Sequence, residues 1–198
     1  MNLLYGLDGE KSSKLGEDDI CITTGCNMAF LAVVKALCAP NTSSALLTLP
    51  AYFNLGMSLS LQSVKPVYIP CDPDNRFVPS LSAARTYLEN AKGDIKPKMI
   101  ILVSPSNPTG TIFTHQELKQ WFDLAKEFEV ALVVDETYKE FVESDDESDK
   151  MGVPHALFKE EGWRETLISL GSFSSGYQQF ENLQEANRKR DTGYRDTG

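Results

Sequence analysis

Apolar residues recur along this chain in two alternating rhythms, one helical and one extended. Over residues 27–37, Met28, Leu31, Val34 and Leu37 fall at helical spacing, and Pro40 and Asn41 end the run. Residues 45–49 form a short apolar strand closed by Pro50, and Phe53–Leu61 follows as a helix. Residues 67–69 give another strand, again stopped by a proline, Pro70, and 71–79 read as a turn-rich loop. Residues 81–91 read as a helix and 92–98 as a polar connection. Residues 99–103 are apolar without alternation, as expected of a strand buried on both faces. Thr114, with Glu117 three positions on, forms a capping box for a helix that places Leu118, Phe122 and Ala125 on one face. Residues 130–134 are a second fully apolar strand, and 166–170 a less uniform one. Upstream, 20–24 read as the first strand, with Gly25 turning the chain into its helix.

Strand and helix alternate with short connections, which predicts an α/β fold. The expected architecture is a three-layer sandwich around a mostly parallel sheet, with helices on both faces. Residues 1–17 read as a partial N-terminal segment and 18–177 as one incomplete domain. Residues 178–198 read as a disordered tail, because apolar periodicity is lost after Gly176 and Arg-Asp-Thr-Gly occurs twice near the end. The acidic stretch 143–150 reads as a solvated surface.

Composition narrows the function classes. The chain has 198 residues, with 28 acidic and 19 basic side chains and a net charge of -9. That balance argues against nucleic acid or acidic membrane surfaces as partners. No apolar run is long enough to span a membrane and no leader pattern is visible, so a cytoplasmic location is expected. The four cysteines, Cys21, Cys26, Cys38 and Cys71, show no metal-ligand spacing and read as buried reduced thiols.

In open parallel sheets, ligands sit beyond the C-terminal ends of the strands. Four polar strings follow apolar runs there. Gly25-Cys26-Asn27 is either a tight turn with a cap or a cluster of helix N-terminal amides suited to phosphate. Pro50-Ala51-Tyr52-Phe53 offers an aromatic that is either core or a stacking partner for a flat ring, with Tyr52 and Phe53 both eligible. The string from Ser104 to Gly110, with two prolines, makes a rigid turn that holds Asn107 as a donor. Asp135, followed by Glu136, Thr137 and Tyr138, puts a carboxylate at the mouth of an apolar strand. It is either a helix cap or the partner of a cationic group. A dinucleotide site is not supported, because no Gly-x-Gly-x-x-Gly follows the first strand.

Together these strings resemble the class I/II aminotransferases of the fold-type-I pyridoxal-phosphate enzymes. Asn107-Pro108-Thr109-Gly110 is a family signature, Asp135 stands 28 positions after Asn107, and Tyr138 follows three later. Thr24-Gly25-Cys26-Asn27 and Pro50-Ala51-Tyr52 match two earlier elements in the right order. The resemblance covers about residues 18 to 177, the incomplete large domain of such an enzyme. It implies pyridoxal 5'-phosphate as cofactor and transfer of an amino group between an amino acid and a 2-oxo acid, commonly in a homodimer. Residue by residue, it implies that Gly25, Cys26 and Asn27 help to cup the phosphate and that Tyr52 stacks on the ring. Asn107 and Tyr138 would donate to the phenolic oxygen and Asp135 would pair with the ring nitrogen; Ser172 and Ser174 would match the cofactor-binding serines that precede the family's lysine, with at least Ser172 helping to hold the phosphate.

The chain departs from the pattern at position 175. The family's lysine, both covalent anchor and general acid/base, would follow Gly171-Ser172-Phe173-Ser174, and this chain has Ser175. The phosphate-gripping arginine element expected after it is replaced by Gln178-Gln179-Phe180, and the region carrying the substrate-carboxylate arginine is absent. The expectation is therefore an aminotransferase domain inactive as it stands, a piece of a longer enzyme. The alternative is a non-catalytic cofactor-binding or interaction pseudoenzyme.

Overall fold

Six extended segments lie side by side in the computed structural model of the chain, which describes residues 15–142 and 154–172. They are β1 (Ser43–Leu49), β2 (Lys65–Asp72), β3 (Val78–Pro79), β4 (Lys96–Val103), β5 (Ala131–Asp135) and β6 (Leu167–Leu170). The order across the sheet is β3-β2-β1-β4-β5-β6. Every neighbouring pair is parallel except β2–β3, which is antiparallel. Among the described residues, five α-helices accompany them: α1 (Cys26–Leu37), α2 (Phe53–Leu61), α3 (Leu81–Asn90), α4 (His115–Glu127) and the short α5 (Trp163–Thr166).

The continuous apolar runs are explained by burial on both sides. In β4, Ile100 and Leu102 face one core, with Leu46, Leu132 and Val134 beside them; α3 and α4 cover it with Ala84, Leu88, Leu118, Phe122 and Ala125. Met99, Ile101 and Val103 face the opposite core, shared with Leu47 and Val133 and covered by Phe30 and Val34 of α1 and Leu55 and Leu59 of α2. Side chains alternate across a strand, so one run of five residues feeds two cores. Each fully buried side chain of this size contributes about 1.5–3 kcal/mol. The result is the expected three-layer α/β sandwich.

The helix signals act locally as anticipated. Thr114 Oγ1 accepts from the Glu117 amide at 3.1 Å, and Glu117 Oε2 accepts from the Thr114 amide at 2.7 Å. Glu117 also pairs with Arg76 at 2.6 Å, tying α4 to the loop after β2. At α3, Ser80 caps the helix by accepting from the Ala83 amide at 3.2 Å.

Three expectations need correction. Residues 20–24 are not a strand: no neighbouring strand lies beside them among the described residues, and Ile22 is 81% exposed. Alternation of Ile20 and Ile22 supplies a pattern, but a strand needs a partner for its amides and carbonyls. The loop over 71–79 contains β3, whose two residues pair with Cys71 and Asp72. Thirdly, the cysteines are all free, but only Cys38 is buried; Cys21 is exposed, and Cys26 and Cys71 are partly buried. The acidic stretch 143–150 and the tail 178–198 lie outside the described residues. Among the described residues, no helix is long and apolar enough to cross a membrane, and no cluster of His, Cys, Asp and Glu could hold a metal.

Candidate functional site at the sheet's C-terminal edge

The strand order reverses direction between β1 and β4. From β1 the chain moves outward to β2 and β3, then returns to the other side of β1 to lay down β4, β5 and β6. The loops after β1 and β4 therefore diverge from adjacent strands, which is where parallel sheets bind ligands. Tyr52 follows β1, and Asn107 follows β4.

Tyr52, at the start of α2, packs against the core beneath α1 and α2, as Cys26 does. Its ring meets that of Phe53 edge-on, with centroids 4.9 Å apart. Phe53 itself is 68% exposed. Of the two aromatics, Tyr52 is the one directed at the sheet.

The loop after β4 is braced from within. The Ser104 amide donates to the Asp135 carbonyl at 2.9 Å, extending the β4–β5 ladder by one rung. The buried Ser104 Oγ accepts from the Phe113 amide at 3.1 Å, closing the loop at its base. Gly110 has φ +72°, a conformation side-chain-bearing residues rarely adopt, and its amide donates to Ser106 at 2.8 Å. Thr111 Oγ1 donates to the Arg76 carbonyl at 2.6 Å. On this frame, Asn107 Nδ2 donates to the Tyr138 hydroxyl at 3.4 Å. Two donors from different strand ends thus converge on one point.

Asp135 ends β5, nearly buried. Its Oδ1 accepts three hydrogen bonds: from the Thr137 amide at 3.0 Å, the Thr137 hydroxyl at 2.6 Å and the Cys26 thiol at 3.5 Å. Oδ2 accepts none from the described residues, so it is the oxygen left for a ligand. Burial, and secondly the charge of Asp135, push the Cys26 thiol up to about 11. It therefore stays protonated near neutral pH and remains a donor. Sequence reading missed Thr137 and the Cys26 side chain as supports. The Asp-x-Thr spacing is the signal that could have found the first; a contact between residues 109 positions apart leaves none.

The Cys26 contact also brings the start of α1 to this edge. Gly25, at φ +89°, precedes the helix, and no side chain caps it. The Gly25 amide donates to the Thr23 carbonyl at 2.9 Å, so it is engaged in the turn; the amides of Cys26 and Asn27 stand in the uncapped first turn. The structure thus draws Gly25, Cys26, Asn27, Tyr52, Asn107, Asp135 and Tyr138 to one edge. Ser172 lies two residues past β6, partly buried. Ser174, together with position 175, lies outside the described residues.

Residues 3–177 match the family model "Aminotransferase class I and II". LL-diaminopimelate aminotransferase of Methanosphaera stadtmanae is 33% identical over 108 residues, covering 54% of this chain and 22% of that protein. The fold superposes on tyrosine aminotransferase from Leishmania infantum with a TM-score of 0.70 at 20% identity, covering 86% of this chain and 43% of that one. It also superposes on the PLP-bound C-S lyase from Staphylococcus hominis with a TM-score of 0.68 at 19% identity, covering 84% and 40%. The chain spans less than half the length of each of these proteins.

Proposed function

The chain belongs to the class I and II aminotransferase family, and from that membership we propose that its C-terminal sheet edge is a pyridoxal 5'-phosphate site. The observation that carries the reading is the asymmetry of Asp135: Oδ1 is held by three donors and Oδ2 by none among the described residues. A fixed, nearly buried carboxylate with one open oxygen suits a protonated ring nitrogen, whose charge offsets the desolvation of the acid.

The other handles of the cofactor find matching groups. Asn107 Nδ2 and the Tyr138 hydroxyl, 3.4 Å apart, would hold the phenolic oxygen, and Tyr52 would cover a ring face. The free amides of Cys26 and Asn27 would receive the phosphate, with Ser172 and Ser174 as further donors. Gly25 acts through its turn, since its own amide is engaged. When bound, the cofactor supplies an electron sink for a substrate's α-carbon. Asp135 serves that chemistry by keeping the ring proton in place, and the braced loop serves it by fixing Asn107. The whole protein's activity, on this reading, is amino transfer between an amino acid and a 2-oxo acid.

Ser175 favours a second reading for this chain, because a serine at the lysine position offers no amine. The chain would then hold the cofactor without chemistry. Both readings require binding. Pyridoxamine 5'-phosphate is a suitable probe, as it does not condense with surface lysines. We expect saturable binding to the wild-type chain and a loss of at least about tenfold in Asp135→Ala, since a charge-assisted hydrogen bond contributes about 1.5–3 kcal/mol. Unchanged affinity in Asp135→Ala would refute the assigned role.

A further inference from the structure

Directly after Asp135, on the opposite side of the strand, stands a carboxylate that the site described above does not use. The Glu136 side chain is fully buried. Its Oε1 accepts from the His155 amide at 2.9 Å. Its Oε2 accepts from Ser169 Oγ at 3.4 Å and lies 3.8 Å from His155 Nε2. The Glu136 backbone is tied as well: its amide donates to the Leu170 carbonyl at 2.8 Å, and its carbonyl accepts from the Lys139 amide at 3.0 Å. One residue thereby joins the end of β5 to β6, to the segment at His155, and to the turn that carries Tyr138.

A buried carboxylate is a poor choice for stability alone, because an apolar side chain of similar volume is often neutral or better. What this one adds is direction. Asp135 and Tyr138, the two groups assigned to the ring nitrogen and the phenolic oxygen, flank it in sequence and share its anchored backbone. We infer that Glu136 is a positioning residue for the cofactor ring, an inference that rests on the roles given to those two residues. It holds the strand end and the turn in one fixed relation, so that Asp135 Oδ2 and the Tyr138 hydroxyl meet the ring together. It touches neither cofactor nor substrate.

The test uses the full chain, pyridoxamine 5'-phosphate labelled with ¹⁵N in the ring, and two readouts: affinity, and the pH at which the bound ring nitrogen loses its proton. Glu136→Gln keeps an acceptor for the His155 amide, so it should stay close to wild type in both. Glu136→Ala removes the acceptor and should bind about tenfold more weakly, with the ring nitrogen losing its proton at lower pH, because Asp135 is no longer held against it. A purely structural role would change stability without moving that titration. Wild-type values in Glu136→Ala overturn the inference, and so does equal damage in the glutamine and alanine variants, which would make charge the operative property. If the alanine variant does not fold, Ser169→Ala replaces it: a smaller shift in the same direction supports the inference, and an unmoved titration overturns it. Asp135→Ala, run alongside, separates the two layers. If it binds like wild type, the cofactor reading itself fails; if it alone loses binding while Glu136→Ala does not, only the positioning role falls.

Discussion

His155 is buried against a carboxylate and is nevertheless held below the ordinary imidazole range. Burial is the main cause; the charge of Glu136 opposes it, and that of Lys139 adds to it. Its contact with Glu136 is therefore that of a neutral ring near neutral pH. As pH falls, the unfolded chain takes up a proton at the ordinary value near 6.5, before the folded chain does. Stability then declines below about pH 6.5 and continues to fall until the lowered folded-state value is passed. We expect His155→Gln to lose this part of the acid sensitivity, seen as a smaller difference between urea-unfolding free energies at about pH 7.5 and 5.5. A difference as large as the wild type's would show that other groups carry the acid response. At this scale the sequence was readable where a polar residue broke an apolar run, as at Asp135. Glu136 and His155 were not readable, because their meaning lies in hydrogen bonds between separate segments, whereas Thr137, two positions from the carboxylate it supports, left a local signal that went unread.

Elements were legible where the signal was local. The Thr114–Glu117 capping box is complete within four residues, and both of its hydrogen bonds are present. Thr114→Ala should lower stability by about 1 kcal/mol, measured by chemical denaturation, with the loss falling on α4 and on its Arg76 tie. Strands were legible when their runs were apolar throughout, as in β4 and β5, since burial on both faces leaves no alternation to misread. Residues 20–24 show the converse. Two isoleucines at strand spacing read as a short strand, yet pairing is a property of the neighbour as much as of the segment. The two-residue β3 failed in the other direction, being too short to carry a period of its own.

Across the whole molecule, the two cores share their strands. Ile101 faces the core under α1 and α2, whereas both tryptophans, Trp121 and Trp163, lie in the opposite core. Ile101→Ala should cost about 2–5 kcal/mol. It should also lower the tryptophan-fluorescence midpoint as much as the circular-dichroism midpoint, because the two faces unfold together. Separate midpoints would mean that the faces unfold independently. The three-layer arrangement was readable from element order, since parallel strands joined by helices admit few alternatives. The sheet order was not, because it depends on which edge β4 joins. That choice is also what sets the switch point between β1 and β4.

The Cys26–Asp135 contact has a consequence in time. It joins residues 109 positions apart, and Asn107 meets Tyr138 across another 31. At about 5–20 residues per second of synthesis, many seconds separate the appearance of the helix start from that of the carboxylate it touches. On the proposed roles, a ribosome-bound chain has the amides meant for phosphate long before it has the acid meant for the ring, and β6 must still emerge to pair with the strand that carries that acid. On those roles a cofactor would find no complete site until the sheet is nearly assembled, and early folding would proceed on the apolar strands and the helices packed on them.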